Sequence, residues 1–400
     1  MKTHASVTHG PRNPGTRTPG TRTPGRRRPA AVPLAGLLAL AALAATGWAG
    51  GAAAQQALSP ETVRVTGRLS DAQAQEVRDH VQRGLDTLAS SGDVAAAEEA
   101  RRGLVSPLTA IGATPSFVQQ YGRALADGVR GLPDAAAPAT RVNALLLLRV
   151  APPQEALPVI RPALTADDPA VRFTAAKVLL DLLRSPPDQA PPLGENDRRQ
   201  LSDALVDAAS AEPDAYVTGK LLPALAAAAG EGGLQRLLEV LNRRVALHAQ
   251  NPGIGYLPEL TEMSNLFLRN LGSFQRAQAE ALCTAAAGHL KVAAAQLANG
   301  QVPAGGVEHA RGLISQADTI LRELAVSQLR LNAGQLPGAV TGSLESGDFA
   351  AIADAADAWA AALGVPVVEV PAPAGEPAAA EGDAAPPADP APEAESTPEG

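Results

Sequence analysis

The sequence predicts an all-α protein: a helical-repeat, α-solenoid-like array of antiparallel helix pairs, with longer, bundle-like helices toward the C-terminus. Three observations carry this. Apolar residues recur at helical spacing from about residue 70 to 366, alternating β-type runs are absent, and a proline-led helix start returns three times in the middle of the chain. The 400 residues allow two or three domains by length, but both ends read as unstructured, which leaves one helical body of moderate size.

Residues 1–54 read as an export signal with a long basic head. Met1 to Arg28 holds seven basic residues and no acid, including a five-residue echo, PGTRT, PGTRT, PGRRR, from Pro14 to Arg28. No residue between Arg28 and Glu61 is charged, and the apolar heart, Leu34 to Ala45, has the length of a signal-peptide core and is short for a bilayer span. Ala52, Ala53 and Ala54 supply small residues for a peptidase, so the expected cut lies between Ala54 and Gln55. The alternative is a retained membrane anchor. Pro29 directly after Arg28 argues against a twin-arginine signal, and no Cys follows directly on the apolar core, so there is no thiol to acylate.

A linker is expected over 55–69 and helical repeats over 70–232. Ser70 with Gln73 forms a capping box, Val77, Val81, Leu85 and Leu88 share a face, and Ser90-Ser91-Gly92 ends the helix. A second helix follows Asp93 with Leu104, Leu108 and Ile111 facing inward. Pro115 then opens a third, carried by Phe117, Tyr121, Leu125 and Val129 to Gly131.

The recurrent starts are led by Pro138, Pro169 and Pro213, spaced 31 and 44 residues apart. Between them is room for one more helix, such as Pro153 to Thr165 with Leu157, Ile160 and Leu164 inward. Helix pairs recurring at this spacing build solenoids. In the middle copy Asp168 caps the helix, Pro169 presets its first turn, Val171 and Arg172 follow, Arg172 lies one turn from Asp168, and small Ala175 and Ala176 admit a neighbouring helix. The run Asp167 to Leu179 resembles the second-helix signature of HEAT repeats, over about residues 153–183. That resemblance implies a helical-repeat fold in which these six residues are structural. The flanking copies depart from it, with Ala137 in place of the acid and Tyr216 in place of the Arg.

Residues 233–366 read as a long-helix continuation or a bundle. Leu234, Leu238, Leu241, Val245 and His248 define one helix, broken at Asn251-Pro252-Gly253, and Leu260, Met263, Phe267 and Leu271 define the next. Phe274 to Leu297 and Val307 to Leu331 follow as long helices about a loop at Gly300 to Gly306. A last helix with Phe349, Ile352, Ala356, Trp359 and Leu363 on one face makes a terminal cap. Residues 367–400 contain eight acids, no base and no aromatic, and are expected to be disordered.

Charge and composition exclude several functions. The net charge of −8 hides the basic head, and losing its seven positive charges leaves about −15, which opposes nucleic-acid binding. Cys283 is the only cysteine, so neither an internal disulfide nor a four-cysteine zinc site can form. His80, His248, His289 and His309 have no His or Cys three or four residues away, so no helix presents a paired metal ligand, and they read as surface residues. Cys283 and His289, six apart on one helix, fall on different faces, and Cys283 reads as a small packed side chain. No phosphate loop, nucleophile elbow or calcium loop appears, and aromatic residues are too scarce for a stacking platform.

The expected function is therefore a noncatalytic helical scaffold, periplasmic or secreted, without cofactor or metal, that binds another protein. Membrane contact is expected only through the signal segment if it is uncleaved. Two alternatives remain: an exported hydrolase or lyase whose site is assembled from separated helices, and a membrane-tethered structural protein of the envelope.

Overall fold

The structure, a computed structural model, describes residues 57–91, 93–132, 136–184, 193–332, 334 and 336–371. The basic head, the apolar signal core, the cut at Ala54 and Gln55, and residues 372–400 lie outside the described residues. The regular elements among the described residues are all helices, with no strand among them.

Fifteen α-helices follow in order: α1 (Pro60–Val63), α2 (Asp71–Ser90), α3 (Val94–Val105), α4 (Pro115–Arg130), α5 (Pro138–Leu147), α6 (Pro153–Ala163), α7 (Pro169–Arg184), α8 (Glu195–Ala211), α9 (Ala215–Ala229), α10 (Gly233–Gln250), α11 (Leu257–Asn270), α12 (Arg276–Ala298), α13 (Val307–Ser327), α14 (Thr341–Ser346) and α15 (Phe349–Leu363). They pack as two alternating layers. The odd helices touch in succession from α3 to α13, while α2 meets α4, α4 meets α6, α8 meets α10 and α10 meets α12. Arg161 of α6 donates to Gln200 of α8 at 2.9 Å across the remaining step. Short turns between contacting neighbours, such as Glu212 to Asp214 between α8 and α9, force antiparallel pairs. The alternation runs on beyond residue 233, and one apolar cluster reaches from Val63 to Trp359.

Most boundaries follow the local chemistry. Ser70 and Gln73 form the reciprocal capping box at α2, Thr114 caps α4 just before Pro115, and Gly131 ends it. Phe117, Tyr121, Leu125 and Val129 are buried, as are Leu157, Ile160 and Leu164 around α6. In α7, Asp168 Oδ1 accepts from the amides of Ala170 and Val171, and Val171, Ala175 and Ala176 are fully buried where α7 meets α5 and α9.

Several expectations are corrected. Ile111 is 96 % exposed, because α3 stops at Val105 and a 3-10 turn through Pro107 replaces its continuation. The third proline-led start begins at Ala215: Asp214 supplies the cap, with its side chain accepting from Tyr216 and Val217, and Pro213 stands ahead of it. Leu271 falls beyond α11 and is exposed, and α13 ends at Ser327. Arg172 does not pair with Asp168. Its Nε and Nη2 grip Glu212 at 2.6 and 2.8 Å, and its Nη1 donates to the carbonyls of Ala166 and Asp167.

Both expected boundary segments are also docked where they are described. Glu76 of α2 accepts from the Ser59 amide and from the hydroxyls of Ser59 and Thr62, and Val63 and Leu69 are buried, so this stretch is no free linker. At the other end Gly364 takes a left-handed conformation, with Val365 N–H returning to the Ala360 carbonyl. That turn leads Val368 and Val370 back against Val245, Ala249 and Val292, so the tail expectation is corrected for residues 367–371. Trp359 of α15 is fully buried and α15 packs on α12, as a terminal cap should.

Candidate functional site

The densest chemistry lies in the core between α10, α11 and α12. Arg244 and His248 occupy the apolar face of α10, at i and i+4 beside Leu241 and Val245, so both are carried into the interior. Pro258 opens α11 and places Glu259 in its first turn, aimed at the same spot. His289 comes from α12, a helix rich in Ala and buried on nearly every side. All four side chains are fully buried.

Arg244 Nε donates to Glu259 Oε1, and Arg244 Nη1 donates to the carbonyls of Ala209 and Glu212, each at 2.8 Å. His248 Nε2 lies 3.0 Å from the same Glu259 oxygen, and its ring stacks on Tyr256 with centroids 4.5 Å apart and planes inclined by 10°. His289 meets His248 edge-on at 5.6 Å, and its Nε2 lies 3.1 Å from the Leu241 carbonyl. Tyr256 donates to Gln296 Oε1 at 2.5 Å, and Gln296 Nε2 donates to the His248 carbonyl at 2.6 Å. Through Ala209 and Glu212, the latter with a carboxylate that holds Arg172 and a carbonyl that holds Arg244, the network ties α7, the end of α8, α10, α11 and α12 together.

Burial alone would raise the Glu259 carboxyl, but the adjacent Arg244 charge, with His248, holds it well below the usual carboxylate range. Burial, reinforced by His248, pushes His289 down to about 3, so it is neutral at pH 7. Burial pushes Tyr256 upward, which keeps its hydroxyl a donor. The centre is built on one Arg–Glu pair. Arg244 Nη2, Glu259 Oε2 and His289 Nδ1 have no hydrogen-bond partner among the described residues. The cluster has no solvent access, and its geometry is that of a clamp between helices.

The histidine expectation is thus corrected: of the histidines among the described residues, His80, His248 and His289 are buried, and His309 reaches the surface in part. His248 and His289, 41 residues apart in sequence, come together because α10 and α12 are neighbours in one layer. The signal for the cluster was present, since Arg244 and His248 share the α10 face with Leu241 and Val245. Among the described residues no group of three His, Cys, Asp or Glu is arranged to hold a metal ion. Cys283 is buried, and its thiol is pushed up to about 12 by burial and then by Glu280.

The accessible surface has a different character. Phe173 of α7, Tyr216 and Lys220 of α9, and Leu257 and Pro258 of α11 line a mostly apolar groove of about 350 Å³. Tyr216 is 80 % exposed and Leu257 is 45 % exposed, and Lys220 Nζ sits 5.8 Å from the Phe173 ring centre. Leu268, Leu271 and Val326 extend exposed apolar side chains along α11 and α13 and just past α11.

No protein-family model matches the chain, and no curated protein matches it. Among solved structures it is similar to the crystal structure of an engineered protein from the Northeast Structural Genomics Consortium, at 12 % identity over 76 % of this chain and 98 % of that one. The TM-score of 0.23 carries no argument about fold or function.

Proposed function

We propose that this chain is an exported, noncatalytic helical-repeat scaffold that binds another protein of the cell envelope. One contrast carries the reading: the Arg244, His248, Glu259 and His289 cluster is sealed in the core, while the outer face of α7, α9 and α11 presents aromatic and aliphatic side chains to solvent. An exposed tyrosine on an apolar groove is the kind of anchor that protein interfaces use. The resemblance of the run from Asp168 to Ala176 to a HEAT-repeat helix is in keeping with a helical-repeat scaffold. Export rests on the segment from Leu34 to Ala54. Among the described residues no helix is long and apolar enough to cross a membrane.

The test is photocrosslinking in envelope extract from a residue introduced at position 216. A defined partner is expected, lost with Leu257→Ser and retained with Ile111→Ser, which alters an exposed apolar residue elsewhere. No partner at position 216, together with turnover of a small substrate by the pure protein, would overturn the proposal.

A further inference from the structure

We propose that the cleft where the first turns of α8 and α10 meet the last turn of α9 binds an anionic ligand of carboxylate or phosphate chemistry. The cleft measures about 400 Å³, room for a small molecule or the end of a peptide. Arg198, Arg199 and Arg236 line it against a single acid, Glu195, on a chain whose net charge is −8. Arg236 is engaged by Asp203 at 2.5 Å and Glu239 at 3.2 Å, and Arg199 lies 3.5 Å from Glu195. Arg198 is different. Its Nε donates to the Leu193 carbonyl at 3.2 Å, and no carboxylate among the described residues pairs with it.

One helix directs its positive end here. α8 starts after Gly194, which has no side chain to cap the first-turn amides, with Glu195 and Asp197 in that turn, whereas α10 continues from a 3-10 turn in which the Gly233 N–H donates to the Gly230 carbonyl. An uncapped helix start beside an arginine is a ready anion site.

Ser202 supplies the independent observation. It lines the cleft, is only 4 % exposed, and its hydroxyl has no hydrogen-bond partner among the described residues. Thr261, Ser264 and Thr284, also within helices, donate to the carbonyl four residues back, whereas Ser202 makes no such bond. A buried hydroxyl left unsatisfied beside an unpaired guanidinium is a donor waiting for an acceptor. Ala228 and Ala229, small and apolar, line the same cleft and suit an anion carried on a short apolar group.

The test titrates the full chain with inorganic phosphate and, separately, with N-acetylalanine, at constant ionic strength, following the backbone amides of residues 194–203 and 230–236 by NMR. Saturable shifts with at least one probe are expected. Phosphate alone or carboxylate alone identifies the source of the anion. Arg198→Gln should weaken binding about tenfold or more, the factor expected for one charged hydrogen-bond donor, and Ser202→Ala about threefold to tenfold. Arg276→Gln, which alters an exposed pair with Glu280 at the start of α12, should leave binding unchanged. Shifts that do not saturate, or that persist equally in Arg198→Gln and Ser202→Ala, would overturn the proposal.

Discussion

Arg244 on α10 and Glu259 on α11 form an ion pair with no solvent access on either side, and the same carboxylate oxygen faces His248. Such a pair is asymmetric in its energetics. Its attraction is offset by the cost of removing both charges from water, whereas losing one member strands the other. Glu259→Ala should therefore cost about 3–5 kcal/mol of unfolding free energy. Replacing both members, Arg244→Met with Glu259→Leu, should cost far less than the sum of the single changes, because no charge is left unpaired. Urea unfolding of the natural sequence, Arg244→Met, Glu259→Leu and the double variant checks this, and simple additivity would contradict the clamp.

Acid should loosen the same region. Burial holds His289 at about 3 in the folded state, against 6.5 when unfolded, so the unfolded chain binds the extra proton. Stability is then fully present above about pH 6.5 and falls as pH drops toward 3, with a slope from this residue approaching about 1.4 kcal/mol per pH unit. Glu259, whose carboxyl is lowered, adds a loss of the same sign below its ordinary carboxylate range. His289→Gln should flatten the urea midpoint between pH 6 and pH 4, and an unchanged pH profile would exclude His289 as the source.

Arg172 and Arg276 each face one glutamate, but only the first pair is shielded, Glu212 being buried and Arg172 mostly so. Arg172→Met should destabilise by about 2–4 kcal/mol, since it strands Glu212 and frees two carbonyls. Arg276→Met should stay within about 0.5 kcal/mol. Thermal denaturation of the two variants separates a structural arginine from a surface one.

At Gly288, α12 runs close against Val245 of α10. A Cβ there would stand 2.8 and 2.9 Å from the two methyls of Val245. The branched valine is confined to one rotamer in a helix and cannot turn aside, so Gly288→Ala should destabilise by about 1–3 kcal/mol despite its better helix propensity. Adding Val245→Ala should recover part of that loss, and a stabilised Gly288→Ala single variant would show that the helices are not in this contact.

Local chemistry made much of the fold legible. Ser70 with Gln73, Thr114 with Pro115, and Asp168 with Pro169 each satisfy the orphan amides of a helix start using residues within three positions, so sequence reports them directly. Ile111 was misplaced because periodicity was extended across Pro107, where the helix ends. Arg172 lies one turn from Asp168 in sequence, but its carboxylate partner, Glu212, stands forty residues on and is brought to it by the fold.

The cluster was legible only in halves. Arg244 and His248 sit among Leu241 and Val245 on one face of α10, which already marks them as facing inward. That His289 and Glu259 would join them depends on which helices become neighbours. By itself, the sequence determined the helical class, most helix boundaries, and the apolar faces of α2, α4, α6 and α15, because capping and periodicity act over a few residues. Only the tertiary structure decided that α10 and α12 adjoin in one layer, that four polar side chains meet in the interior, and that Tyr216 remains exposed. Those outcomes depend on pairing segments tens of residues apart, and burial cancels or amplifies charge only once the partner is in place.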